Sequence, residues 1–302
     1  MTDDPNQPHI DANLKLSILQ EETLSVLTLI RDEIEGLFER RANTPSEADS
    51  TLRNLFFYMG ERGQSVNFLL SWGYSWDAEI ILRSYYEVSV RIALLCFSDE
   101  IERKELLQEF WTDLGAIGDR RRAIKAGLAG KVMKLKNGND DPIFSALEDP
   151  QIFRTLPKGN KAERKRLEQK WSFTQIIDTL SKKRISGKNL ELISGLLHYY
   201  GMASHLLHAD QMALDLMYDR ATRDPSEALI LARAHAARIM NDLASLSLFC
   251  ADALRIMFEL EFENEALLYA TFDKMSTISD EILTEFRHSQ EQFYADIANG
   301  GK

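Results

Sequence analysis

Two segments of this chain are apolar almost all round a helix and yet carry polar residues. One reads W76-D-A-E-I-I-L-R-S-Y-Y-E-V-S-V-R-I-A-L-L-C-F97, and the other reads L196-L-H-Y-Y-G-M-A-S-H-L-L-H-A-D-Q-M-A-L214. A helix that is apolar on every side is buried in a protein core. Polar side chains buried there are costly unless they find partners, so they either hold the fold together or form a site. These residues are Arg83, Glu87, Ser204 and His208.

The chain contains few residues that break helices. Only 7 Pro and 15 Gly occur in 302 residues, which favours long helices over many short strands joined by turns. Apolar residues recur at helical spacing, and no stretch shows the alternation of a half-buried strand. We therefore predict an all-α fold, a helical bundle of seven to nine helices with long N- and C-terminal helices. The predicted helices span residues 11–41, 47–72, 76–97, 99–136, 142–148, 161–184, 188–218, 225–261 and 263–298.

The organisation of the chain follows from these helices. Residues 1–46 form an N-terminal helix, and Ser46 with Asp49 is typical of the cap of the next one. Residues 47–220 form the core bundle, which contains a basic insertion. Residues 221–302 form long helices that pack on this core. The two terminal helices are the most amphipathic, so they pair with each other or form a dimer surface.

Two features of the sequence predict a cytoplasmic protein. The first ten residues lack the basic and apolar regions of a signal peptide, and no apolar stretch approaches the roughly 20 residues of a membrane span. Cys96 and Cys250 each lie in an apolar helical stretch, which indicates two buried free thiols in a reducing compartment. No membrane partner is expected.

The charge of the chain is unevenly distributed. Residues 119–188 contain 18 Lys and Arg against 8 Asp and Glu, whereas the other 232 residues contain 18 against 39. Such a basic segment is typical either of an anion-binding face, most plausibly for RNA or DNA phosphates, or of a solvated hairpin that lies against acidic residues. The acidic remainder favours a short or single-stranded nucleic acid. The candidate binding residues are Tyr200 outside this segment and, within it, Arg120, Arg121, Arg122, Arg164, Lys165 and Arg166.

Charged residues also step by four along the first apolar helix. Glu79, Arg83, Glu87 and Arg91 follow this spacing, which on a surface helix gives weak ion pairs. Apolar residues share the same arc, so at least the two central members are predicted to lie inside the bundle. They form either a buried ion pair that fixes the helix register or part of a functional site.

The second apolar helix carries Tyr200, Ser204 and His208 within a narrow arc that also includes Gln211 and Asp215. A histidine beside Ser and Asp can act as a general base, or it can be a core imidazole satisfied by a hydroxyl. No Glu-x-x-His pair accompanies it, so no metal is expected. The chain also lacks the phosphate-loop, dinucleotide-binding and nucleophile-elbow motifs, and no cofactor is predicted.

The segment D77-A-E-I-I-L-R-S-Y-Y-E87 resembles the first signature of an uncharacterised microbial all-helical family, domain of unknown function 5677. Tyr200, Ser204 and His208 resemble its second signature, and the resemblance covers about residues 50–220. It implies a helical bundle in which Arg83, Glu87, Tyr200, Ser204 and His208 converge. It implies no activity, because none is assigned to the family.

The chain is also distantly similar to HEPN-type helical bundles, which are common in toxin–antitoxin and antiphage systems. Their ribonucleases use an Arg followed by four to six residues and a His, and no histidine of this chain has an Arg at that distance. Arg83 and His208 from two helices could supply the same pair, with Ser204 and Glu87 beside them. Whether the protein is an enzyme is therefore left open.

Three functions follow from these observations. The first is a non-enzymatic helical protein that binds RNA or a protein partner through the basic segment, with phage defence or stress response as its candidate setting. The second is a HEPN-like nuclease or other hydrolase in which His208 is the general base, Arg83 stabilises the anion and Glu87 orients one of them. The third is a scaffold that forms a homodimer through residues 11–41 and 263–298.

Overall fold

The computed structural model describes residues 7–43, 45–147, 161–185, 188–291 and 295. The helices in this part of the chain are α1 Gln7–Arg40, α2 Glu47–Ser71, α3 Ser75–Cys96, α4 Glu100–Gln108, α5 Leu114–Asn137, α6 Pro142–Leu147, α7 Lys161–Lys170, α8 Phe173–Ser181, α9 Leu196–His208, α10 Gln211–Thr222, α11 Pro225–Phe258 and α12 Glu265–Ser289. A π-helical turn, Glu109–Asp113, makes α4 and α5 continuous. Two-residue strands, Arg184–Ile185 and Lys188–Asn189, pair antiparallel before a 3-10 turn at Glu191–Gly195.

The predicted all-α bundle with long terminal helices is confirmed. The described residues form eleven helices when α4 and α5 are counted as one, slightly more than the seven to nine predicted. The extra helices arise where predicted helices divide. Residues 161–184 break at Trp171, and residues 188–218 begin with the strand and the 3-10 turn and then break again at Ala209. No helix in the described part of the chain combines the length and the apolar character that a bilayer span requires.

Contacts divide the chain into two compact units, one of residues 1–97 and 180–302 and the other of residues 98–179. The predicted basic insertion, residues 119–188, lies mostly in the second unit. Residues 1–46 and 221–302, which were expected to pack on a separate core, belong to the same unit as α2 and α3.

Helices α3 and α11 form the centre of the first unit. Helix α3 packs against α2, α9 and α11, while α11 also packs against α1 and α12. Both helices are apolar round most of their circumference, as Ile92 and Leu95 on α3 and Leu243 and Leu254 on α11 show by their burial. Asp224 caps α11 and Pro225 occupies its first turn, where a missing backbone N–H costs nothing.

The terminal helices α1 and α12 pack against each other, as one of the two predicted alternatives required. Lys15 forms an ion pair with Glu281 at 2.7 Å, and Lys274 forms one with Glu22 at 2.6 Å. The buried carboxylate of Glu33 accepts hydrogen bonds from the backbone N–H groups just before α12, at 2.7 and 2.8 Å. An anion in this position satisfies the free N–H groups of a helix start. Ser46 and Asp49 form the predicted capping box of α2.

The second unit is built on the continuous helix α4–α5. The indole Nε1 of Trp171 donates to Glu109 in the π turn at 2.9 Å, and the ring centroids of Trp171 and Phe110 lie 5.4 Å apart. Lys170 forms an ion pair with the same carboxylate at 2.8 Å. Helices α6 and α7 both pack against α5. The described basic residues between 119 and 147 and between 161 and 170 therefore lie on a small helical unit with its own aromatic cluster.

Candidate functional site

Arg83, Glu87 and Tyr200 come together between α3 and α9. A terminal guanidinium nitrogen of Arg83 donates to the phenol oxygen of Tyr200 at 2.8 Å, and that hydroxyl donates to Glu87 at 2.9 Å. The Arg83 guanidinium also lies over the Tyr200 ring, 4.9 Å from its centroid. Arg83 and Glu87 from the first signature thus contact Tyr200 from the second. The sequence alone does not indicate which faces of the two helices meet.

This cluster is half-buried rather than enclosed. The side chains of Arg83 and Glu87 are 23% and 29% exposed, so the predicted interior position is only partly correct. Glu87 lies 3.6 Å from both Arg83 and Arg91, which continues the spacing of four along α3. Burial, opposed by the hydrogen bond from Arg83, raises the pKa of Tyr200. The phenol therefore stays protonated and acts as a bridge between the two charges.

His208 is exposed, and the prediction that it lies in the core beside Arg83 is wrong. The physical reason is a break in the helix. Ala209 adopts a left-handed conformation with φ of 47°, and Asp210 caps the next helix by accepting from the N–H of Ala213. His208 is consequently the last residue of α9, where a helix is open to solvent. The break also removes Gln211 and Asp215 from the predicted arc.

Ser204 is half-buried on α9 and forms no side-chain hydrogen bond with a described residue. On the same helix His205 has a carboxylate partner, since its Nδ1 lies 2.5 Å from Asp210. Both of these side chains are more than a third exposed. The predicted set of five residues therefore separates into a contacting trio, Arg83, Glu87 and Tyr200, and two residues, Ser204 and His208, for which the structure shows no contact with it.

We expect His208→Ala to leave the protein as stable as the wild type. The imidazole is exposed and forms no hydrogen bond or ion pair with a described residue, and substitutions at such positions usually change the free energy of unfolding by less than about 0.5 kcal/mol. Thermal unfolding of the two proteins checks this. A drop of several degrees in the midpoint would mean that His208 is packed after all.

The deeply buried polar cluster of the first unit lies between α3 and α11 and was missed by the sequence analysis. Glu79 is fully buried and bonds to both His235 and Arg238 of α11. Arg238 also donates to Asp242 at 2.7 Å and to the hydroxyl of Tyr86 at 3.2 Å. The Tyr86 hydroxyl donates to Asp242 at 2.6 Å. Arg238 thus connects Glu79, Asp242 and Tyr86 directly, and His235 through Glu79, in one hydrogen-bonded network.

His235 is held in a single tautomer by its two neighbours. Its Nε2 lies 3.0 Å from Glu79, and its Nδ1 lies 3.1 Å from the guanidinium of Arg220. A guanidinium can only donate, so Nδ1 must accept and Nε2 must carry the proton that is donated to Glu79. The Trp76 ring packs edge-on against the imidazole, with centroids 5.0 Å apart. Because both ring nitrogens are engaged, His235 is not placed to take a proton from a substrate.

The pKa values of this cluster follow from burial and from the two arginines. Burial lowers the pKa of His235 below its usual 6.5, and the charges of Arg238 and Arg220 add to this effect against that of Glu79. Burial alone would raise the pKa of Glu79, but the hydrogen bond from His235 and the charge of Arg238 hold it below 4.5. Burial raises the pKa of Asp242. A neutral histidine with both ring nitrogens bonded to a carboxylate and a guanidinium stabilises the contact between the helices and is not free for catalysis.

Most of the described basic residues of the second unit lie on α5 and α7. Some of them are engaged: Arg121 forms an ion pair with Glu168 at 2.5 Å, and Arg122 forms one with Asp119. Of the other predicted binding residues, Arg120 and Arg164 are half-buried, whereas Lys165 and Arg166 are exposed. Several exposed cations form no ion pair with a described residue. They are Lys125, Lys131, Lys136, Lys161, Lys165 and Arg166.

An open groove of about 530 Å³ runs between α5 and α6 on this unit. Arg121, Arg122 and Lys125 line one side of it, and Phe144 and Leu147 line the other. The groove therefore places three cationic side chains, of which Arg121 and Arg122 are paired with carboxylates and Lys125 forms no ion pair with a described residue, opposite an aromatic ring. This arrangement suits a ligand that carries both negative charge and a flat apolar surface.

Comparison of the chain with protein-family models, with curated proteins and with solved structures finds no match. The function therefore has to be argued from the residues of this chain. In the described part, no group of three or more His, Cys, Asp or Glu has a geometry that could hold a metal ion. Cys96 and Cys250 are both buried free thiols, as predicted.

Proposed function

We propose that the protein binds single-stranded nucleic acid, RNA in the first place, through the surface formed by α5, α6 and α7. The observation that carries this proposal is the groove in which Arg121, Arg122 and Lys125 lie opposite Phe144. Phosphates dominate the affinity of nucleic acid for proteins, and exposed bases stack on aromatic rings. One surface thus offers the two kinds of contact that a single strand makes.

The charges around the groove support the same proposal. Lys125 and Lys131 on α5 and Lys165 and Arg166 on α7 are exposed and form no ion pair with a described residue. A cation without a partner is available to a phosphate, whereas a paired one must first give up its carboxylate. Helices α5 and α7 pack against each other, and Arg121 on α5 pairs with Glu168 on α7, so the two sets of charges lie on neighbouring helices. Phosphates of one strand can therefore contact both helices.

The rest of the chain favours a short or single-stranded ligand over a long duplex. Outside residues 119–188 the chain holds 39 acidic residues against 18 basic ones. Such an excess repels a long polyanion that extends beyond the basic surface. A single strand can bend to remain on α5 and α7, so its contacts are limited to the favourable region.

We expect substitution of Lys125, Lys131 and Lys165 together by Ala to weaken RNA binding and to flatten its dependence on salt. Each lysine that contacts a phosphate adds about 0.7 to the slope of log K against log salt for a single strand, so loss of all three lowers the slope by about 2. Fluorescence anisotropy with a labelled oligouridine of about 15 nucleotides measures this between about 50 and 200 mM KCl.

The chain offers a control with the same change of net charge. Lys15, Lys104 and Lys274 are exposed and paired with Glu281, Glu100 and Glu22. The triple Ala variant at these positions should keep the wild-type slope. Equal weakening in both variants would show that only the net charge matters, and no binding of the wild type even at low salt would refute nucleic-acid binding altogether.

Hydrolysis is not favoured by the arrangement of the first unit. Arg83 and Glu87 are engaged with Tyr200, and His208 lies exposed at the end of α9. A homodimer through α1 and α12 stays a prediction that light scattering tests, since these helices pack against each other within one chain. The two free thiols are consistent with a reducing compartment, so the cytoplasm stays the proposed location. A role in phage defence or stress response rests on the resemblance alone.

A further inference from the structure

Helix α5 exposes a strip of large aliphatic side chains to solvent. The exposed fraction rises along the helix from 48% at Ile124 to 88% at Leu135. Ala123 and Ala126 bury the other side of the helix against its own unit. Four large aliphatic residues in solvent on one side of a helix are unusual, because a surface helix normally turns such a face inward. The members of the strip are Ile124, Leu128, Val132 and Leu135.

The four residues form a continuous strip. At 100° per residue they fall within about 80° of arc, and at 1.5 Å per residue they extend over about 16 Å of the helix. Their spacing of four, four and three keeps each side chain next to the following one. The strip is therefore a single apolar surface along α5.

Cations border this strip along both edges. Arg120 and Lys131 fall on one side of it, and Lys125 and Lys136 fall on the other. Helix α5 contains a single acidic residue, Asp119, near its start. An apolar strip between two rows of Lys and Arg is the pattern of a helix that lies in the plane of a membrane interface, where the long basic side chains extend to the headgroups.

We propose that α5 lies flat on an anionic lipid surface, with Ile124, Leu128, Val132 and Leu135 at the level of the acyl chains and the flanking cations on lipid phosphates. Apolar burial and attraction to anionic lipids act together in such binding. Each Lys or Arg near a negatively charged leaflet strengthens it by about fivefold. The binding is peripheral and reversible.

Other occupants fit the strip less well. A second copy of α5 would bring its rows of Lys and Arg against those of the first, and like charges in contact repel. RNA covers the cations but not the aliphatic strip, since bases stack on aromatic rings. A peptide helix is usually bound in a groove with apolar walls. Here the four apolar side chains stand out from a helix with cations on both sides, which suits a flat surface.

This proposal goes beyond nucleic-acid binding and is independent of it. The sequence predicts no membrane partner because it contains no spanning segment, but a helix in the interface needs none. The exposure of the strip is visible only in the structure and changes that expectation. Lys125 is shared by the groove and by the strip, so lipid and RNA compete for it, whereas Leu128 and Leu135 serve the lipid alone.

Flotation of the full chain with vesicles tests the proposal. We expect binding to phosphatidylcholine vesicles that contain about a third phosphatidylserine and none to pure phosphatidylcholine vesicles. The double variant Leu128→Gln and Leu135→Gln should bind at least about tenfold more weakly, because two buried side chains are lost. The matched control is Leu14→Gln with Leu24→Gln, two exposed leucines of α1, which should bind as the wild type does.

The outcomes separate this proposal from the proposed function. Loss of vesicle binding in the Leu128 and Leu135 variant with unchanged oligouridine binding supports the strip. Vesicle binding that the variant retains in full would show attraction by charge alone and overturn the proposal. No vesicle binding by a wild type that binds oligouridine would also overturn it, and would assign α5 to nucleic acid. Circular dichroism verifies that each variant keeps its helices.

A fluorescent label gives a direct readout of insertion. Cys96 and Cys250 are buried, so a new cysteine in Leu135→Cys can be labelled selectively with an environment-sensitive dye. We expect its emission to shift to the blue with anionic vesicles. The same label in Leu24→Cys on α1 should not shift. A shift at neither position would contradict insertion of the strip.

Discussion

Arg238→Met is expected to lower the free energy of unfolding by about 3–5 kcal/mol. Arg238 bonds to Glu79, Asp242 and Tyr86 in the buried cluster between α3 and α11. Removing one partner of a buried ion pair leaves the other charge without compensation in a medium that solvates it poorly. Here Glu79 is fully buried, its Oε2 accepts from both Arg238 and His235, and its Oε1 has no hydrogen-bond partner among the described residues, so the charge depends on these two contacts. Urea denaturation measures the loss.

The control for this variant is Arg31→Met on α1. Arg31 is also paired with a carboxylate, Asp32, but its side chain is 62% exposed. Exposed pairs contribute about 0–1 kcal/mol, so this variant should resemble the wild type. Similar losses at both positions would mean that the buried cluster holds α3 and α11 together no more strongly than a surface pair does.

Stability is expected to fall as the pH drops from about 6.5 to 5.5, with His235 as the main cause. In the folded protein its pKa lies below 6.5, the value near which an unfolded chain takes up the proton. Below about pH 6.5 the unfolded state therefore binds more protons than the folded state. The free energy of unfolding then falls by up to about 1.4 kcal/mol per pH unit, until the pH reaches the folded-state pKa. The stability that the neutral His235 contributes is fully present above pH 6.5.

Glu79 extends this loss to lower pH. Its pKa in the folded protein is below 4.5, so its contribution is present above that pH and is lost as the pH falls through the folded value. Urea denaturation at several pH values separates the two steps. In His235→Gln the loss between about pH 6.5 and 5.5 should disappear, whereas in His208→Gln, which changes an exposed histidine, it should remain. An unchanged profile in His235→Gln would refute the assignment.

The helical architecture could be predicted because local signals and apolar spacing agree. Ser46 with Asp49 gives the start of α2, and Asp224 before Pro225 gives the start of α11, and the structure confirms both caps. These signals are local, since a cap depends only on residues within one turn. The pairing of the terminal helices could be predicted only as one of two alternatives, because their apolar faces have to be buried either against each other or in a dimer.

The position of His208 could not be predicted from the same pattern. Apolar residues continue at helical spacing from Leu196 to Leu214, so the sequence reads as one helix across Ala209. Asp210 caps the second helix, yet an Asp inside a periodic segment is ambiguous because a helix tolerates it. The break therefore became visible only in the backbone of Ala209, with its positive φ.

The buried cluster between α3 and α11 left a weaker signal. His235, Arg238 and Asp242 are spaced three and four residues apart, which puts them on one face of an otherwise apolar helix. Polar residues with this spacing also occur on α3 and α9, where they were predicted to be buried, whereas those of α11 were not predicted. Sequence spacing also gives no indication of which helices meet. That Glu79 pairs with residues of α11, and not with its own neighbours on α3, could therefore be learned only from the folded structure.

Ultraviolet crosslinking of the full chain to oligouridine, with the crosslinked peptides identified by mass spectrometry, tests the central claim most directly. We expect the crosslinks to fall between residues 118 and 147 and between residues 161 and 170, which contain the groove and the unpaired cations. Crosslinks at Tyr200 or His208 would instead place the ligand on α9. That result would contradict the assignment of nucleic-acid binding to the second unit.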